Sequence, residues 1–287
     1  RYTIKGAIFQ APHNKIDTVD EAEQTRMREQ NEQWLANSGY RLQSIPSYDG
    51  LKLFAHEIHN PNGNHRWAIL LHGYTARGLA MVEWARHFAE MGFGVLMPDA
   101  RGHGESEGDY IGMGWHDRLD VLRWIDHILS VDEQAQILVY GISMGGACAM
   151  MTSGEALPAN VKAFVEDCGY ACVYDEFAYQ SKQLFKLPAF PVINFASAYT
   201  KHKAGYGFAQ ASAEKQVAKS KTPTLFIHGS DDTFVPAFML DRVYNAANCP
   251  KKRILVPGAG HGGSQHVLGD VYWENIRSFL DDYFTWE

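Results

Sequence analysis

Six short, continuous apolar runs punctuate the chain: Trp67–Leu71, Gly94–Met97, Ile137–Tyr140, Val161–Val165, Thr224–Ile227 and Ile254–Val256. A run without a polar face suits a strand covered on both sides, which is what central parallel strands require. Between the runs lie amphipathic stretches near Leu79 to Met91, His116 to Ser130, Met144 to Gly154, Ala237 to Ala247 and Val271 to Tyr283. Strand and helix in repetition imply right-handed crossovers and a three-layer α/β architecture, a mostly parallel sheet with helices on both faces. Ahead of them, Arg41–Ser47 and Lys52–His59 flank Asp49-Gly50, the turn signal of an antiparallel hairpin.

The size fits such a domain. A chain of 287 residues, 46% hydrophobic and 21% charged, buries a large core and is neither disordered nor a small disulfide scaffold. Lys and Arg number 26 against 33 Asp and Glu, and the densest basic stretch is Lys251-Lys252-Arg253, which argues against a nucleic-acid partner. Cys148, Cys168, Cys172 and Cys249 match no zinc spacing and read as free thiols, with a Cys168–Cys172 disulfide left open. No apolar run approaches the roughly 18 residues of a membrane span, and none of the residues present reads as a signal peptide. The chain opens on Arg1, which leaves a preceding signal or anchor open, and with it a cell-surface or extracellular rather than a cytoplasmic location.

The organisation reads in three parts. Residues 1–40 form a polar extension, with one exposed or docking helix from Asp17 to Asn37 that stops at Gly39. Residues 41–168 and 221–287 carry the strand–helix rhythm. Residues 169–220 interrupt it and contain Pro188 and Pro191. From Tyr170 to Phe208 ten residues are Phe or Tyr, where the average of the chain would give about four. This segment is expected to be an inserted helical cap with an apolar inner face over the strand ends.

Gly141-Ile142-Ser143-Met144-Gly145 follows one apolar run and opens the small-residue stretch Gly145-Gly146-Ala147-Cys148-Ala149. A serine projecting from a tight strand-to-helix turn needs glycine two before and two after it, because side chains there collide with neighbouring backbone. Ser143 is therefore the candidate nucleophile. A hydroxyl needs a base, and the base needs a third group to orient it. The chain order nucleophile, acid, histidine puts the acid after a late strand, at Asp231 or Asp232, and the base at His261, in a glycine-rich loop after the last strand. His266 is the rival base, and Glu166 and Asp167 are substitute acids read more simply as a polar strand end. Two backbone donors are expected for a developing oxyanion, the amides of Met144 and of Tyr74, the latter in the loop Leu71-His72-Gly73-Tyr74-Thr75. His72 reads as structural. So does His103, in Asp99-Ala-Arg-Gly-His-Gly-Glu-Ser106, whose glycines shape a tight connection. There is no HExxH and no paired metal-ligand cluster, so neither a metal nor a cofactor is expected.

These motifs together, HGYT at 72–75, DARGHGES at 99–106, GISMGG at 141–146, HGSDDTFVP at 228–236 and GAGH at 258–261, make the chain resemble the α/β-hydrolase fold family over roughly Tyr40 to Phe284. The resemblance implies that the aspartate of an HGxxDxxVP motif, here Asp232, is the triad acid. Within the family the chain is similar to bacterial serine esterases, including cap-bearing feruloyl-type enzymes. The expected activity is hydrolysis of small-molecule carboxylic esters with small to medium, partly apolar acyl or aryl groups. The same triad also serves peptide or amide hydrolases, thioesterases and carbon–carbon bond hydrolases, and the scaffold also hosts silent binding proteins. Oligomeric state is not legible.

Overall fold

A computed structural model of the chain describes residues 21–60 and 64–286. Eight strands form one sheet: β1 (Arg41–Pro46), β2 (Lys52–Ile58), β3 (Arg66–Leu71), β4 (Gly94–Pro98), β5 (Gln136–Ile142), β6 (Val161–Asp167), β7 (Thr224–Gly229) and β8 (Lys251–Val256). Their spatial order is β1-β2-β4-β3-β5-β6-β7-β8. Strand β2 pairs antiparallel with both β1 and β4, and every pairing from β4 to β8 is parallel. The hairpin turn closes as its residues dictate: Gly50 takes φ +93°, and the Ser47 hydroxyl accepts the Leu51 N–H at 2.8 Å.

Alternation along the strands divides the core into two faces. Ala68 and Leu70 of β3, with Leu138 and Tyr140 of β5, pack under α2 (Val82–Glu90) and α10 (Asp270–Leu280), where Phe88, Trp273 and Phe279 fill the layer. Trp67, Ile69 and Leu71 point the other way, with Val139, toward Trp124 and Ile128 of α3 (Asp117–Val131) and Ala149 of α4 (Met144–Ser153). Fully burying one such side chain stabilises the fold by roughly 1.5–3 kcal/mol. Every residue of α4 is buried, so its run of small side chains lets the helix sit directly on the sheet. Helix α8 (Phe238–Ala246) follows β7, and the short α9 (Ser264–Leu268) precedes α10.

Helix α1 (Glu21–Asn37) docks on this body through the partly buried Trp34 and Leu35. The expected helix began at Asp17, and residues 1–20 lie outside the described residues.

One expectation needs correction. Strand β8 was expected to be covered on both faces, but it is the last strand of the sheet and Leu255 is half exposed. With a neighbour on one side only, its central residues are not all enclosed. The aromatic-rich segment between β6 and β7 folds into α5 (Val173–Phe185), α6 (Ala189–Ala204) and α7 (Ala213–Val217), with aromatics on both its inner and its outer side. Tyr170, Tyr206 and Phe208 are buried, whereas Phe190 and Phe195 are 74% and 73% exposed. Helix α6 turns Ile193 and the small residues Ser197 and Ala204 toward the body, which sends its large rings outward. All four cysteines are unbonded, in keeping with the free-thiol reading, and the Cys168–Cys172 pairing is not formed.

Candidate active site

The candidate residues gather at the carboxyl ends of the parallel strands. Ser143 stands between β5 and α4 with φ 56°, a left-handed conformation that a side chain rarely adopts and that the surrounding chain must impose. Its N–H is held by the Asp167 carbonyl at 2.8 Å, and its own carbonyl accepts the Ala147 N–H at 2.9 Å. The two flanking glycines are obligatory for space. A Cβ on Gly141 would overlap the carbonyl of Gly145, and a Cβ on Gly145 would overlap that of Leu71 at the end of β3. The turn is sharp because helix and sheet approach without side chains between them.

His261 bridges the other two groups. Its Nε2 lies 2.8 Å from Ser143 Oγ and its Nδ1 2.7 Å from Asp232 Oδ2. The remaining oxygen of Asp232, Oδ1, accepts the Phe234 and Val235 N–H groups, each at 2.9 Å. Asp232 is buried, which alone would raise its pKa, but its contacts to His228 and His261 hold it below the ordinary carboxylate value. Asp231 faces outward and accepts the Ser230 hydroxyl at 2.6 Å. That same Ser230 oxygen accepts the Gly258 N–H at 2.9 Å and so ties the acid's loop to the loop carrying His261.

The other candidates are placed elsewhere. His266, on α9, lines a groove beside α1 with Met27, Arg77 and Glu83. Asp167 accepts hydrogen bonds from Ser264 at 3.0 Å and Tyr272 at 2.9 Å, and Glu166 accepts the Gly169 N–H at 3.0 Å. His103 is buried with its ring edge-on to His72.

His72 acts on the loop that carries Tyr74. Its Nδ1 donates to the Gly73 carbonyl at 2.8 Å, and its Nε2 accepts the Ala100 N–H at 3.0 Å. One neutral tautomer satisfies both bonds. Burial lowers the His72 pKa to about 4, so the ring stays neutral at pH 7. The loop abuts the nucleophile: a Cβ built on Gly73 would lie 3.5 Å from that of Ser143. Met144 opens α4 immediately after Ser143, where helical N–H groups point outward without helical partners.

One residue escaped the sequence reading as more than part of a motif. His228, at the end of β7, is buried, with its Nε2 2.8 Å from the Val235 carbonyl and 3.4 Å from Asp232 Oδ2. Burial lowers its pKa, but Asp232, Glu166 and the Val235 carbonyl outweigh that and raise it to about 9. Burial pushes the carboxyls of Glu166 and Glu176 up to about 8. A histidine four residues before the acid, at a strand end, was the available signal. Cys168, Asp232 and His261 also bring ligating atoms within 4.8 Å of one another. Burial keeps the Cys168 thiol protonated, and the other two groups already bond each other, so the set lacks the thiolate a metal would need.

A sequence model described as "Serine aminopeptidase, S33" matches residues 63–170. YqkD of Bacillus subtilis, described as uncharacterized, is 26% identical over 83% of this chain and 78% of its own. Two solved structures superpose over most of the chain. The esterase Pf2001 of Pyrococcus furiosus has a TM-score of 0.69 at 24% identity, covering 88% of this chain and 96% of its own. Est1E of Butyrivibrio proteoclasticus, solved with ferulic acid bound, has a TM-score of 0.66 at 21% identity, covering 84% and 98%. No described helix is long and apolar enough to cross a membrane. The order of the strands, the turn at Ser143 and these superpositions agree on one architecture: the chain has the α/β-hydrolase fold.

Proposed function

We propose that the protein is a serine-dependent hydrolase of carboxylic esters that works through an acyl-enzyme. The observation that carries this reading is the unbroken hydrogen-bonded series from Ser143 through His261 to Asp232. Ser143 Oγ attacks the ester carbonyl carbon while His261 Nε2 takes the hydroxyl proton. Asp232 fixes the imidazole tautomer through Nδ1–H and stabilises the imidazolium. The Met144 and Tyr74 amides stabilise the tetrahedral oxyanion. As the intermediate collapses, His261 returns the proton to the leaving alkoxide and the alcohol departs. Water then attacks the acyl-enzyme with His261 again as base, and Ser143 is regenerated with release of the carboxylic acid.

Helices α5 to α7 act as a cap in this reading. The inner rings Tyr174 and Phe177 pack with Tyr74, Phe234 and Met144 in one cluster beside the nucleophile. Partly buried aromatic surface of that kind suits a small or medium apolar acyl or aryl group. The test is turnover of p-nitrophenyl acetate and butyrate, with labelling of Ser143 by a fluorophosphonate. Loss of both in Ser143→Ala supports the assignment, and full activity in that variant refutes it.

The description of the matched family favours a second reading, an aminopeptidase. The same three side chains would then cleave an amide. Matched ester and aminoacyl amide substrates distinguish the two by their kcat/KM.

A further inference from the structure

Helix α6 presents a side that no described residue covers. Val192, Phe195 and Tyr199, at spacings of three and four, share its outer face and are 41%, 73% and 54% exposed. Leu187, just before the helix, and Phe190, at its start where the backbone is not helical, extend the patch at 44% and 74%. An apolar patch of this extent marks an interaction surface.

Its charge is as unusual as its apolarity. From residue 177 to residue 213 there is no Asp or Glu, and Lys182, Lys186, Lys201 and Lys203 are all exposed. None of the four makes an ion pair with a described residue. The rest of the chain is acidic, with 22 Lys and Arg against 33 Asp and Glu. The cationic apolar face is therefore segregated on a body that an anionic surface would repel.

We propose that this face, the α5–α6 turn and the outer side of α6, docks in the plane of an anionic lipid bilayer. The large apolar rings enter the headgroup and acyl boundary, and the lysine stems reach back to the lipid phosphates. At 16 residues with lysines in its last turn, α6 lies on such a surface and does not cross it. A second copy of the chain is a poorer occupant. A two-fold contact through this face would set its four lysines against four more. The inner side of α6 places Ile193 in the cluster that contains Met144, so docking brings the neighbourhood of Ser143 to the lipid.

The test is co-sedimentation of the 287-residue chain with sucrose-loaded vesicles, either of phosphatidylcholine alone or of seven parts phosphatidylcholine to three of phosphatidylglycerol. It needs no catalysis. Wild type is expected to sediment with the mixed vesicles at least tenfold more strongly than with neutral ones, and salt is expected to weaken it. Phe190→Ser with Phe195→Ser is expected to lose binding at least tenfold. Neutralising the four lysines to Gln is expected to weaken it by about fivefold per lysine. Circular dichroism checks folding, and if the Phe variant is unfolded the lysine variant decides. Absence of wild-type binding to the mixed vesicles overturns the proposal, as does binding unchanged by the folded variants. A dimer in light scattering that the Phe variant converts to monomer, without vesicle binding, assigns the face to a second copy instead.

Discussion

His228 and Asp232 form a buried pair at the end of β7, the Nε2 of the histidine 3.4 Å from the carboxylate oxygen that also faces His261. The acid thus has a second imidazole behind it, on the side away from Ser143. Replacing His228 by Phe removes that partner and leaves Asp232 buried with less compensation. The variant is expected to be about 3 kcal/mol less stable in urea denaturation. It is also expected to show a lower kcat, with the acid limb of its pH profile moved because Asp232 is easier to protonate.

The same pair sets a pH dependence of stability. The pKa of His228 rises from 6.5 to about 9 on folding. Its contribution is therefore complete below about 6.5 and lost as pH climbs through about 9. The melting temperature of wild type is expected to fall across that window, and that of His228→Phe to fall less. Glu166 and Glu176, pushed up to about 8 by burial, add a loss of the same sign, and both feel the His228 charge, so the difference between the two proteins reports the histidine together with its coupling to these carboxyls. Equal slopes would count against the pairing.

Activity is expected to show the opposite limb. A histidine base works only when neutral, so ester turnover is expected to fall on acidification. A flat kcat/KM profile down to pH about 4 would remove His261 from the role of base.

Ser143→Ala is expected to lower kcat by about 10⁴-fold or more, and Asp232→Asn by about 10⁴-fold through the wrong imidazole tautomer. Because the two act in one chain of hydrogen bonds, the double variant should be little worse than Ser143→Ala alone. Additive losses measured under single-turnover conditions would show that the acid works independently of the nucleophile.

Gly145→Ala tests the turn itself. A methyl there meets the Leu71 carbonyl, and the backbone of β3 has little freedom to retreat from α4. The expected result is a loss of at least about 1–3 kcal/mol and of activity. Wild-type melting and turnover would mean that the turn is looser than its geometry implies.

The sheet and the candidate nucleophile were legible because each rests on a local constraint. Ser143 needs glycines at 141 and 145, and the apolar runs need cover on both faces. Asp232 and Asp231 could not be separated by spacing, only by resemblance, because which of two adjacent carboxylates turns inward depends on the Phe234 and Val235 amides that receive it. His228 was hidden for a similar reason: a buried polar residue at a strand end has no periodicity to betray its partner. The outward rings of α6 were not legible because aromatic content tells how much apolar surface a segment holds but not which way its helix is rolled.

Strand β8 closes one rim of the sheet and begins Lys251-Lys252-Arg253, the densest basic stretch in the chain. Lys252 and Arg253 are exposed there, each held by an acid, Asp282 in the turn after α10 and Asp241 on α8. An unpaired rim invites a foreign strand to add on, and a row of ammonium and guanidinium groups makes that addition costly. At this margin of the sheet the short cationic stretch thus raises the cost of edge-to-edge addition by another chain.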